Sequence, residues 1–234
     1  MKEEQGANMA RCPAFVSLLG VLPLCLAGLL FTCDASAGAQ MYEPLSASIR
    51  TVMQRSVSDQ ATSKLVFATQ YEADVWLNEM SRRLQKRIPD DEFRHDLLRS
   101  VHYEANRAGL DPQMVLGLIE VESGFKKYAV SSAGARGLMQ VMPFWTKLVG
   151  TGNENLFHLR TNLRFGCTIL RHYLDIEKGD LYRALGRYNG SLGQPQYPNL
   201  VLGAWRKKWA LPHHVAGTTA NKTEKLASFK PPAM

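Results

Sequence analysis

Apolar residues are distributed along this chain in two different ways. From Pro13 to Thr32 the run is apolar apart from Ser17 and Thr32. From Glu72 onward apolar positions recur every three or four residues, the period of a helix with one buried face. Ala73, Trp76, Met80 and Leu84 predict a first helix, and Pro89-Asp90 breaks it before a second that carries Phe93, Leu97, Leu98, Val101 and Ala105, with Gly109 as its C-terminal stop. A third opens with Asp111 as cap and Pro112 at the first helical position, buries Met114, Val115, Leu118 and Ile119, and ends at Gly124. Further helices are predicted at about 143–150, 161–176 and 180–188, the last capped by Asp180, and at 198–210 with Val201, Leu202, Trp205 and Trp209.

The stretches between these patterns set the domain plan. Residues 1–39 read as a signal peptide: Arg11 precedes the apolar run, and Ala35-Ser36-Ala37 or Ala37-Gly38-Ala39 offers the small residues a signal peptidase needs. Met9 is an alternative start. An uncleaved anchor and a lipid on Cys33 are the competing fates of this leader. Residues 40–69, with scattered Ser, Gln and Thr, read as a linker, 70–108 as an N-terminal helical extension, and 109–210 as the main domain. Between Gly124 and Pro143 small residues and glycines predict a structured loop with a short β-hairpin. The polar stretch 211–234 reads as a disordered tail. The expected fold class is mostly α, with a small loop and hairpin region.

Composition and charge narrow this further. Three of the four cysteines lie in the leader, so Cys167, between Leu163 and Leu170, is expected as a small core residue. The net charge of +7 rises by one when residues 1–39 are removed. With export to the periplasm or cell envelope, that charge favours an envelope polyanion over nucleic acid, a solvated basic surface with no specific partner being the equal alternative. None of the six histidines falls in a His-Glu-x-x-His pattern, and neither a metal nor a cofactor is expected.

Glu122 stands out chemically. It follows Val115 by seven residues and Leu118 by four, which places it on the apolar stripe of its helix. Desolvation and the negative end of the helix dipole both raise the pKa of a carboxyl there, and a carboxyl protonated near neutrality suits general acid work. A buried structural glutamate is the alternative. Glu120, about 200° around the helix, is expected to face elsewhere as a solvated or structural residue.

The segment Glu122-Ser123-Gly124-Phe125, continuing to Gly134-Ala135-Arg136-Gly137-Leu138-Met139-Gln140-Val141-Met142-Pro143, resembles the signature of the lysozyme-like lytic transglycosylases of the SLT-domain family. Asn162, Gly166 and Arg187-Tyr188-Asn189-Gly190-Ser191 continue the likeness in order over about residues 110–195. Lys127 stands where the family often has Pro, and Gly190-Ser191 where it has Ala-Gly.

The resemblance implies an α+β lysozyme-like fold and non-hydrolytic cleavage of the MurNAc-GlcNAc β-1,4 bond of peptidoglycan, leaving 1,6-anhydromuramoyl ends. It makes Glu122 acid and then base, Ser123 its support or that of the acetamido group, and Met139 and Gln140 lining of the glycan groove, with core packing the favoured alternative for the side chains of Met139 and Met142. Tyr188 is expected to hydrogen-bond near Glu122, and Asn189 to contact substrate or fix the loop. The partners expected are glycan strands, in a monomer, with residues 70–108 either packing on the catalytic domain or recruiting an envelope protein. A hydrolytic muramidase of the same fold and a non-catalytic peptidoglycan-binding module are the alternatives.

Overall fold

The computed structural model describes residues 40–58 and 65–211. The signal peptide read in residues 1–39, and the tail beyond Leu211, lie outside the described residues. Among the described residues eight α-helices follow one another: α1 (Ala47–Ser58), α2 (Gln70–Leu84), α3 (Asp91–Arg107), α4 (Pro112–Ser123), α5 (Phe144–Val149), α6 (Leu159–Ile176), α7 (Leu181–Tyr188) and α8 (Gln196–Ala204), the last running into a π-helical turn, Trp205–Trp209. This is the helical lysozyme-like arrangement.

Local chemistry sets most of the boundaries. Asp90, Asp111 and Asp180 each accept a hydrogen bond from the amide three residues on, at 3.0, 2.8 and 3.0 Å, and Thr69 does the same for α2 at 3.2 Å. Each such cap is worth about 1 kcal/mol. Gly124, at φ 57°, closes α4 in the left-handed region that its missing Cβ makes cheap. In the loop 124–143 the expected hairpin is reduced to two isolated antiparallel bridges, Val130 with Arg136 and Arg136 with Val141.

Helix α4 lies at the centre. Val115, Leu116, Leu118 and Ile119 are fully buried, and α3, α8 and the π-turn pack around it. The approach to the π-turn is close because residue 117 is glycine: a Cβ there would stand 2.9 Å from the Trp205 backbone nitrogen. Helix α6 packs on α3, α7 and α1. A buried ion pair links α3 to α6, Glu104 with Arg164 at 3.0 Å, and Arg107 bonds both Glu104 (3.0 Å) and the Ser56 carbonyl (2.6 Å). The extension read at 70–108 thus packs directly on α4 and α6.

The stretch read as a linker, 40–69, holds helix α1 and is fastened to the core. Only Met53 and Val57 of α1 are buried, which is too few to make a visible period. Its fastenings are mainly polar or isolated contacts that hydrophobic spacing does not register: Gln40 is 3% exposed, Glu43 pairs with Arg187 at 2.8 Å, and Tyr42 meets Phe144 edge-on at 5.7 Å. No helix among the described residues is long and apolar enough to cross a membrane.

Candidate active site

Glu122 sits in the last turn of α4, 8% exposed, on the face it shares with Val115 and Leu118. The Tyr197 hydroxyl, from the first turn of α8, donates to its Oε1. Burial pushes the carboxyl up to about 8, and the Tyr197 bond, which favours the anion, offsets only part of that rise. Near neutrality the side chain therefore carries its proton, as its place on the stripe implied.

Tyr197 was not among the residues expected here. It precedes the helix read at 198–210, and its bulk blends into an apolar face. The signal was the four-residue spacing of Tyr197, Val201 and Trp205, which puts a phenol on a buried stripe. A buried hydroxyl needs a partner.

Glu120 departs from the solvated alternative. Its carboxylate binds Arg87 (2.7 Å), Lys208 and the indole N–H of Trp209 (2.7 Å), with a side chain only 8% exposed. Burial raises its pKa, but those three donors outweigh it and hold the group below its ordinary value. It joins the C-terminal end of α4 to the π-turn.

The loop after Glu122 is fixed backbone group by backbone group. Ser123 Oγ donates to the Leu138 carbonyl at 2.8 Å, Asn162 Oδ1 accepts from the Met139 amide at 2.8 Å, and Asn162 Nδ2 donates to the carbonyls of Arg136 and Leu156, each at 2.8 Å. Gly137, at φ 76°, leaves room for that amide: a Cβ would stand 2.4 Å from Asn162 Nδ2. Tyr188 Oη donates to the Met139 carbonyl at 2.7 Å.

These contacts define what four of the expected residues do. Ser123 spends its hydroxyl on the backbone of Leu138 and Ile119 rather than on Glu122. The Met139 side chain is fully buried against Gly166 and Cys167, so it packs the core instead of lining a groove. Gln140 is 2% exposed and turns its amide inward to the carbonyls of Gly137 (2.9 Å) and Ala129 (3.2 Å). The phenol bonded to Glu122 is Tyr197; Tyr188 feels the charge of Glu122 but bonds the loop. Asn189 donates to Ser191 Oγ at 2.9 Å, while its buried Oδ1 accepts no hydrogen bond from the described residues. Cys167 is a buried free thiol, as its spacing suggested, and burial pushes its pKa up.

Residues 99–198, from the middle of α3 to the start of α8, match the family model of the transglycosylase SLT domain. This stretch is thus similar to an SLT domain. The match begins ten residues before the boundary read at 109, because the second half of α3 is part of the packed core. The transglycosylase of Enterobacteria phage PRD1 is 36% identical over 88 residues, which cover 38% of this chain and 32% of the phage protein. The membrane-bound lytic murein transglycosylase C of Actinobacillus pleuropneumoniae serotype 5b is 59% identical over 39 residues, covering 17% of this chain and 11% of that protein. Its counterpart in Histophilus somni strain 2336 is 41% identical over 56 residues, 24% of this chain and 14% of the relative. This chain thus spans a third or less of the length of these curated relatives.

Proposed function

We propose that this chain is a peptidoglycan lytic transglycosylase of the bacterial envelope, with Glu122 as its acid and then its base. The observation that carries the reading is a buried carboxyl, protonated near neutrality, at the end of α4 within the stretch similar to an SLT domain. The relatives named lytic murein transglycosylase support the substrate class, and the leader read in residues 1–39 supports export.

The chemistry follows from what Glu122 has around it. Two-carboxylate glycosidases place their acids roughly 5 to 9.5 Å apart. Here Glu122 is the one carboxyl in the matched motifs, Glu122–Phe125, Gly134–Pro143, Asn162, Gly166 and Arg187–Ser191. The substrate then supplies the missing groups. Glu122 protonates the glycosidic oxygen as the bond to C1 breaks, and the N-acetyl oxygen of the muramoyl residue shields the developing cation. The C6 hydroxyl attacks C1, its proton passes to the Glu122 carboxylate, and the cycle closes without water. Tyr197 holds Oε1, which leaves Oε2 for the transferred proton.

Mass analysis of the fragments released from purified murein tests the reading. Anhydromuramoyl ends, one water lighter than hydrolytic products, are expected. New reducing ends would make the enzyme a hydrolytic muramidase, and no fragments at all would leave a binding module.

A further inference from the structure

The arm that precedes α1 reaches the same loop from a hundred residues away. Gln40 Oε1 accepts from the Met142 amide at 3.2 Å, and its Nε2 donates to the Gln140 carbonyl at 3.4 Å. The Tyr188 hydroxyl is close enough to feel the same side-chain amide. Gln140 is a non-glycine residue at φ 47°, a conformation that costs energy unless its surroundings hold it. A glutamine suits this place because one side chain offers both an acceptor and a donor, and so satisfies two backbone groups two residues apart. Leucine or methionine would fill the volume and leave both groups unbonded, at the desolvation cost of each.

We propose that Gln40 is a positioning residue of the active site, locking the end of the Leu138–Met142 segment against which Tyr188 is set. This rests on the function proposed above. Four side chains hold consecutive parts of that segment: Ser123 the Leu138 carbonyl, Asn162 the Met139 amide, Tyr188 the Met139 carbonyl, and Gln40 the carbonyl of Gln140 and the amide of Met142. Ser123 adjoins Glu122, and Tyr188 lies within reach of its charge, so slack in the segment reaches the reacting carboxyl from two sides. The arm is pinned on both flanks of Gln40's seat. Tyr42 rests on Phe144 of α5, and Glu43 pairs with Arg187 of α7, which Glu177 also holds at 2.6 Å.

Gln40 is also the residue immediately after Ala37-Gly38-Ala39. Either of the two cuts read for the leader retains it, and a cut one residue later removes a part of the site. Processing of the leader therefore has a fixed limit at Ala39.

The test uses the mature chain acting on purified murein, with turnover, KM and melting temperature measured together. Gln40→Met keeps the length and loses both hydrogen bonds. It is expected to lower kcat about tenfold with KM within about twofold, at the stability cost of a hydrogen bond, a few degrees of melting temperature. Met53→Ala in α1 serves as the structural comparison: it opens a cavity and melts earlier than Gln40→Met, but leaves kcat unchanged. Gln40→Met with the wild-type kcat would overturn the proposal, as would an equal kcat loss in Met53→Ala. A wild-type chain that releases no fragment would instead remove the functional reading, and this role with it. N-terminal sequencing of the exported protein adds a second check: a mature chain that starts after Gln40 and remains active would overturn the role by itself.

Discussion

At Glu122 the side chain's preference for water conflicts with the helix that carries it, and the helix wins. Val115 and Leu118 are fully buried, so the stripe they define takes Glu122 inward as well. That much was legible, because helical spacing fixes a face without reference to anything distant. Tyr197 was not, since its contact with Glu122 crosses 75 residues and depends on how α8 meets α4. What the side chains of Ser123, Met139 and Gln140 touch was not legible for the same reason: motif position located them at the site, but only the packing of α6 and α7 decides whether a side chain faces a groove or the loop's own backbone. Two outcomes follow at this scale. Tyr197→Phe removes a hydrogen bond that favours the anion, so the alkaline limb of the pH–rate profile should move upward from about 8. Tyr188→Phe frees the buried Met139 carbonyl, and both turnover and melting temperature should fall; a loss of turnover of roughly 10-fold is expected, with a stability loss of about 1 kcal/mol.

Among the elements, α4 shows how sequence signals and tertiary contacts divide the labour. Its start, stop and buried face were readable from Asp111, Pro112, the apolar spacing and Gly124, all of them local. Its mate was not readable, because Gly117 looks like a helix-weakening residue until the Trp205 backbone is seen against it. Ala is the better helix former, yet Gly117→Ala should destabilise the domain by about 1 to 3 kcal/mol, since backbone must move to admit the methyl group. Thermal unfolding checks this; a melting temperature at or above wild type would contradict the close contact. Glu120→Gln, which a solvated residue would tolerate silently, should cost about 1 kcal/mol, because Arg87 and Lys208 lose their shared carboxylate while remaining partly in water. Helix α1 escaped notice because two buried residues make no period, although polar contacts hold the arm in place.

For the whole molecule, the raised proton affinity of Glu122 is also a statement about stability. Between about 4.5 and about 8 the folded chain retains a proton that the unfolded chain has released, so stability falls as pH rises across that window. Glu122→Gln abolishes this contribution, and the variant's advantage in melting temperature over wild type should grow from pH 4.5 to pH 8 and then level off. A constant difference would mean that the carboxyl is not held protonated. The central claim, that this one carboxyl carries the proton for glycan cleavage, is tested most directly by the turnover of Glu122→Gln on purified murein, with its fold verified by circular dichroism. The amide keeps the size of the side chain and its contact with Tyr197 but has no proton to give, so cleavage should fall by roughly 10² to 10⁴ or more. Activity within about tenfold of wild type would contradict the account.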